Sequence, residues 1–428
     1  MTFTIQYFDR KASRIVRMIN LLRFPFVLGV LILSLGINSC PAEPGRAVGL
    51  AKAESGHADQ TNLFGVSLLV KLMADRSEEN IVVSPFSLEL ALGMVYAGCS
   101  GTSADELRRV VGFGPQTGSR EVLFPGMALY SALPSTIILK IANSLWCDRS
   151  TKLQPTFEAK IKDFFNPEIQ SVDLETAGSM KAINDWVAKA TEDRITDLIQ
   201  KPPKPPLVLI NAVYFKGTWK HPFSAAQSST GQFQRDQIGA CEVTMMKQSL
   251  SAPYLATDDF QAIKLPYDGS SLEMVLILPA KGTDVISVLQ KLCARSWKDT
   301  ISEFSEAAGS ITLPRFKVSY RDSLVSALAD LGIKAIFKPS RDFAPMFEDP
   351  REFFVSGLIQ QSFLRVDEKG SEAAAATEVQ IRPTAMRRQS LAAFNLLLDR
   401  PFLFAIVDDE SGQLVFAGVL RDPDKAKL

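Results

Sequence analysis

The stretch VDEKGSEAAAATEVQIRPTAMRRQSLAAFNLLLDRPFLF, residues 366–404, reads in two ways. Taken locally it starts like a helix: Ser371 is a capping hydroxyl, Glu372 an acid in the first turn, and Ala373 to Ala376 repeat the best helix former. The continuation argues for a strand. With a period of two, one face collects Ser371, Ala373, Ala375, Thr377, Val379 and Ile381, all small or apolar, while the other takes Glu372, Ala374, Ala376, Glu378, Gln380 and Arg382. All of the charge lies on the second face. Val379 and Ile381, two apart, share no helical stripe. Arg387, Arg388 and Gln389 follow, so the segment ends as an exposed polar loop. A loop written in strand code is a segment able to enter a sheet.

The rest of the chain is large enough to receive it. With 428 residues, 46% of them hydrophobic, it can bury a substantial core, and length alone suggests two or three domains. Forty-seven basic and forty-seven acidic side chains cancel, so no net field draws nucleic acid or anionic lipid, and neither is expected as a partner. Cys40, Cys99, Cys147, Cys241 and Cys293 lie far apart, without zinc-type or redox-type spacing, so no metal and no cofactor is expected. Four of them read as small core residues. The two histidines, His57 and His221, neighbour no nucleophile-elbow pattern; HExxH is missing, and Gly112-Phe-Gly114 lacks the lysine and spacing of a phosphate loop. An enzyme is therefore disfavoured, and a hydrolase of another fold is kept as the remote alternative.

The N-terminus has its own character. Arg10, Lys11, Arg14, Arg17 and Arg23 precede an apolar run from Phe24 to Ile37, too short for an ordinary membrane span and suited to a signal peptide, which shortens to a usual length if Met18 is the start. Ile37-Asn38-Ser39-Cys40 is similar to a bacterial lipoprotein cleavage box, with Asn38 where a small or aliphatic residue is usual. Two outcomes stay open: a lipid on Cys40, giving the only membrane attachment expected, or plain secretion after cleavage nearby. Residues 1–40 are thus read as a leader, 41–57 as a flexible tether rich in Ala, Gly, Pro and charge, and 58–424 as the folded part of an extracytoplasmic protein.

Along that folded part, Leu63, Val66, Leu69, Val70 and Met73 recur at helical spacing, and Ser84-Pro85 forms a cap and first-turn pair ahead of Leu88, Leu92 and Val95. Ile183, Trp186, Val187 and Ala190 fit another helix, whereas Thr136 to Trp146 alternates as a strand. Lys201 to Pro206 is an extended connector before a strand-like run, Leu207 to Phe215. Phe260 to Pro266 and Leu272 to Leu278 make a hairpin about Asp268-Gly269. Phe402 to Val407 and Leu414 to Val419 are apolar enough for strands buried on both faces. Helices mixed with antiparallel strands, without alternating βαβ units, point to the α+β class.

At this point Glu368-Lys369-Gly370-Ser371-Glu372-Ala-Ala-Ala-Ala-Thr377 resembles the hinge of the reactive loop in serpins, the serine-protease-inhibitor family. Asn80 to Ser87, Asn184 to Val187, Leu209 to Trp219, Leu313 to Phe316 and Asp399 to Phe404 resemble further serpin segments, in order, so that the likeness runs over about residues 59–424. The resemblance implies one domain, a monomer with three β-sheets, the largest a five-stranded sheet A, and about nine helices. It also implies suicide inhibition of a serine, or less often cysteine, protease. The protease cuts the loop, here 368–398, and forms an acyl-enzyme; the hinge side then inserts as a new strand in sheet A and carries the covalently held protease with it.

Residue by residue, the resemblance assigns the hinge to Glu368, Gly370, Ser371, Ala373, Ala374, Ala375, Ala376 and Thr377, where bulky, charged or proline residues would slow insertion. Ser84, Ser87 and Asn211 match polar positions of the gate where the sheet parts; Gln360 stands where the family often has histidine. Trp219 and a Glu368 to Arg315 ion pair fit the mouth of the sheet. Counting from Gly370 puts the scissile bond between Thr384 and Ala385, but the loop is longer than usual, so Met386, Arg387 and Arg388 stay open as alternatives. The alternative reading of function is a non-inhibitory serpin-fold binding or carrier protein.

Overall fold

The computed structural model describes residues 57–116, 133–236, 238–293, 297–349, 351–371 and 394–423. Residues 1–56, read from the sequence as a leader with Cys40 and a tether, lie outside the described residues, as do Ala373 to Ala376, Thr377, Thr384, Ala385, Met386, Arg387 and Arg388. The described residues all belong to the compact unit Ala53–Leu428.

The chain opens with helix α1 (His57–Asp75), strand β1 (Ile81–Val83), α2 (Pro85–Tyr96) and α3 (Gly101–Val111). His57, assigned to the tether on sequence, is the first residue of α1 instead. The start of α2 follows from its sequence: Ser84 accepts from Ser87 N–H at 3.1 Å, and Pro85 takes the first turn, where its missing N–H costs nothing. All 12 residues of α2 are buried, so this helix runs through the core rather than over it. Gly112, at φ +95°, ends α3 in the left-handed region.

Then come β2 (Ile137–Asp148), α4 (Pro155–Phe165), β3 (Glu168–Val172), α5 (Ala177–Ala190) and β4 (Leu207–Thr218). The second half is richer in strands: β5 (Ser229–Arg235), β6 (Gly239–Ala256), β7 (Phe260–Pro266), β8 (Leu272–Pro279), α6 (Val285–Cys293), α7 (Trp297–Ser302), β9 (Ser305–Pro314), β10 (Phe316–Ser323) and α8 (Val325–Asp330). It closes with β11 (Val355–Val366), β12 (Gly370–Ser371), β13 (Phe394–Leu397), β14 (Phe402–Asp408) and β15 (Leu414–Leu420). The β7–β8 hairpin turns through Gly269 at φ +69°, and every residue of β14 and β15 is buried, both as the sequence pattern requires.

Two hydrogen-bonded sheets result. One has the order β10-β11-β4-β2-β3, with β12 added on β4, and is the large five-stranded sheet expected. The other runs β1-β15-β14-β8-β7-β6-β9-β13, with β5 on β6. Two of the three expected sheets run together here through β6, which pairs with β5 over Gly239–Met245, β9 over Met245–Tyr254 and β7 over Tyr254–Ala256. Eight α-helices surround them among the described residues.

Strand β4 shows how the layers share one centre. Leu207, Leu209, Val213 and Phe215 point into the main core with α2, β14 and β15, while Val208, Ile210, Ala212 and Tyr214 join Ile183 and Val187 of α5 in a second cluster. At roughly 1.5–3 kcal/mol per large apolar side chain buried, both faces of this strand hold it in place. A strand packed on both faces is therefore the one that borders the centre of the large sheet.

Candidate functional site

In the large sheet, β10 and β11 are antiparallel, β4 and β2 are antiparallel, and between these pairs β11 and β4 run parallel. Val355 to Leu364 of β11 pair directly with Leu207 to Phe215 of β4, so among the described residues no strand separates them. Parallel ladders have slanted hydrogen bonds and are slightly weaker per residue than antiparallel ones. The middle of the sheet thus contains its softest long seam.

Halfway along that seam lies a buried polar cluster. Gln360 on β11 and Asn211 on β4 are register partners, and Gln360 Nε2 donates to Asn211 Oδ1 at 2.6 Å. The Asn211 amide in turn donates to Ser87 Oγ at 2.5 Å and to Asn143 Oδ1 of β2 at 2.6 Å. Gln360 also exchanges bonds with the backbone of Ser84, donating to its carbonyl at 3.2 Å and accepting from its N–H at 3.3 Å. Ser84 Oγ donates to the Val415 carbonyl on β15 at 2.7 Å. These side chains are all buried, with Ser84, Ser87 and Asn211 wholly so. One cluster therefore ties three adjacent strands of the large sheet to α2 and to the second sheet. It brings together Ser84, Ser87, Asn211 and Gln360 from the sequence reading and adds Asn143 of β2, which sequence reasoning missed.

The mouth of the seam is built from the other sequence-assigned residues. Beyond Val366 the chain turns back through Asp367 to Lys369, closed by Asp367 N–H donating to Gly370 O at 2.8 Å. Gly370 and Ser371 then pair antiparallel with Thr218 and Gly217 of β4. Gly217 is held on its other edge by Ile137 of β2, so β12 lies on the β11 side of β4. Gly370 has φ +152°, and a Cβ there would come 2.0 Å from the Gly217 carbonyl oxygen; only glycine fits.

Ser371 is fully buried, its hydroxyl 2.7 Å from that of Tyr267. Tyr267 stacks on Trp219, ring centroids 4.7 Å apart, and Trp219 donates through Nε1 to Asp367 O at 3.0 Å and through its backbone N–H to Lys369 O at 2.9 Å. Trp219 is thus more than packing: it grips the turn that delivers the hinge. Glu368 accepts from Arg315 and, at 2.8 Å, from Ser228 Oγ. Burial pushes the Glu368 carboxyl up, yet the bonds from Arg315 and Ser228 outweigh it and hold the group below the usual carboxylate range. Sequence reasoning missed Tyr267 and Ser228; neither carries a local signal, since each meets the hinge only in three dimensions.

Three free thiols lie away from this site. Burial pushes the thiols of Cys99 and Cys147 up to about 12 and that of Cys293 up to about 11, far from thiolate at neutral pH. Among the described residues no group of three His, Cys, Asp or Glu side chains could hold a metal ion. What the arrangement offers is a long parallel seam, closed by neutral polar groups and headed by Gly370 and Ser371.

A family model described as serpin (serine protease inhibitor) matches residues 59–423. This chain belongs to the serpin family. It is 33% identical over 368 residues to an uncharacterized serpin-like protein of Thermococcus kodakarensis, covering 85% of this chain and 84% of that one. It is 30% identical over 373 residues to the leukocyte elastase inhibitor of Homo sapiens, covering 84% and 97%. The crystal structure of human thyroxine-binding globulin complexed with thyroxine has the same fold, with a TM-score of 0.75 at 22% identity, over 86% of this chain and 100% of that one.

Proposed function

We propose that this chain is an inhibitory serpin, a suicide substrate that traps serine proteases, with cysteine proteases as the lesser class of target. The observation that carries the reading is the placement of Gly370 and Ser371, already in antiparallel register on β4 at the head of the parallel β4–β11 seam. Continuing that register would set Ala373 opposite Phe215, Ala375 opposite Val213, Thr377 opposite Asn211, Val379 opposite Leu209 and Ile381 opposite Leu207. Those β4 residues, Asn211 apart, belong to the main core, so the small and apolar face of the segment would turn inward and its charged face away. The alternation in the sequence is in phase with the sheet that would receive it.

The energetics favour insertion once the loop is cut. One parallel ladder would be exchanged for two antiparallel ones. About a dozen new backbone hydrogen bonds at ~1 kcal/mol net each give a gain on the order of 10 kcal/mol, and a strand of fourteen residues, Ser371 to Thr384, spans roughly 45 Å. That travel carries an acylated protease from the mouth of the sheet to its far end. The intact loop cannot make it, because both of its ends are tethered. The similarity to the leukocyte elastase inhibitor supports this reading at the level of the family. The likeness to thyroxine-binding globulin, which concerns the fold alone, keeps a binding or carrier protein as the second reading.

Incubation with elastase-like, subtilisin-like and trypsin-like proteases, followed by a denaturing gel, tests the proposal. A covalent complex supports it; a loop cut without a complex favours the carrier. Peptide mass after cleavage assigns the bond among Thr384, Ala385, Met386, Arg387 and Arg388. The leader at residues 1–40 places the inhibitor outside the cytoplasm in this reading, secreted or anchored through Cys40.

A further inference from the structure

The gate cluster holds no titratable side chain: Ser84, Ser87, Asn143, Asn211 and Gln360 are all neutral. The helix that carries Ser84 and Ser87 does hold one. Glu89, on α2, is wholly buried, and its Oε2 has no hydrogen-bond partner among the described residues. Its Oε1 lies 2.7 Å from His57 Nε2. A carboxylate in such a place is tolerated only if it is paired. His57 Nδ1 in turn lies 3.1 Å from the carbonyl oxygen of Gly112, the residue that ends α3. A carbonyl only accepts, so Nδ1–H donates to it; one further proton is shared along the Nε2–Oε1 bond, and with Glu89 as the carboxylate the ring is an imidazolium. The pair ties the start of α1 to the middle of α2 and the end of α3.

The charged surroundings agree. Besides Glu89 from α2, His57 shares a cavity of about 1110 Å³ with Lys220, Glu273, Asp408, Asp409 and Glu410. Glu273 and Asp409 are engaged by Lys264, and Asp408 accepts from Ser271 and Ser411. Asp59 lies in the same first turn of α1, and Arg108 and Arg109 occupy the last turn of α3. Acids outnumber bases on the cavity wall. Burial disfavours the imidazolium, but the hydrogen bond and charge of Glu89, with the Gly112 carbonyl, outweigh it and hold His57 above the ordinary histidine value.

We propose that the His57–Glu89 pair is a pH-sensitive staple on the gate helix, closed when the pair holds its proton and released as the pH rises, so that the β4–β11 seam opens more readily on the alkaline side. The route is short. Glu89 is five residues, about one and a half turns, from Ser84, and the Ser84 backbone is bonded directly to Gln360 on β11. Because the folded value is raised, the staple's contribution is full below the ordinary histidine value and is lost as the pH climbs through the folded one. Loss of the proton leaves a buried carboxylate without its cation, and α2 must shift or take up water to relieve it. The proposal rests on the reading that this seam opens in function, but its tests use no protease, so they can fail while the inhibitory reading stands.

The chain has two histidines, so a His221→Gln background leaves one imidazole to follow by NMR in the full-length protein. In that background His57 titrates above the ordinary value. With Glu89→Gln added it falls, because burial, the largest influence, is then opposed by the Gly112 carbonyl alone, while the introduced amide still reaches Nε2 and keeps α2 packed. Amide hydrogen exchange of β11 about Gln360, corrected for the intrinsic rate between about pH 6 and pH 8.5, then reads the gate. Seam protection drops with pH in the parent chain and stays level in Glu89→Gln. A His57 titration that Glu89→Gln leaves unmoved, or the same pH slope of exchange in both chains, overturns the proposal.

Discussion

Gln360 on β11 and Asn211 on β4 face each other in register across the one long parallel pairing inside the large sheet, joined by a 2.6 Å hydrogen bond between their side-chain amides. In the proposed mechanism this bond spans the line along which the sheet parts. It is neutral, buried and replaceable: an incoming Thr377 hydroxyl, opposite Asn211 in the continued register, offers both a donor and an acceptor. The gate is closed by groups that can change partners without leaving a charge behind.

Asn211→Ala removes the centre of the cluster. Asn143, Ser87 and Gln360 each lose a partner while buried, and each orphaned group costs about 1–3 kcal/mol. The urea midpoint of the uncut chain should fall by a clearly measurable amount with an unchanged slope. A midpoint equal to that of the parent would show that the cluster holds nothing together.

Much of this was legible beforehand, and the limits are physical. The β14 and β15 pair and the Ser84 cap are local patterns, written in apolar runs and in one hydroxyl before a proline. The partner of Ser371 is not, because Tyr267 lies 104 residues away and reaches it only after the β7–β8 hairpin has folded over the mouth of the sheet. His57 was misplaced for a related reason: nothing in Gly56-His57-Ala58 distinguishes a tether from a first helical turn until the buried Glu89 is set beside it. The alternation of the loop is a local pattern, whereas the parallel seam is a long-range property of β4 and β11.

Ala373→Pro should turn an inhibitor into a substrate. Proline lacks the N–H that would join the ladder to β4 or β11 and obstructs the second residue to enter the slot after Ser371. Cleavage continues, but on a denaturing gel the covalent complex gives way to free cut protein. Equal yields of complex from variant and parent would contradict rapid strand entry.

The Glu368 carboxyl, held below its usual range, contributes stability that is present above the ordinary carboxylate value and is lost as the pH falls through the depressed one. Because Arg315 is 45% exposed, the contribution is set at ~1 kcal/mol or less. Glu368→Gln should therefore differ from the parent at neutral pH and converge with it in acid. A difference that persists in acid would assign the effect to packing.

The lipid proposed for Cys40 has a direct test. Growth with labelled fatty acid should mark the parent chain if Cys40 is the acceptor, and Cys40→Ser should lose the label and be released. Label surviving in the variant would place any lipid elsewhere; an unlabelled parent would mean plain secretion.

The central claim is that the uncut fold stores free energy that one cut in the loop sets free. A single nick within residues 372–393, followed by thermal unfolding of the purified cut chain, measures it directly. A gain on the order of 10 kcal/mol corresponds to a rise in Tm on the order of 10 °C for a domain of this size. A cut chain that melts at or below the temperature of the intact one would contradict the account.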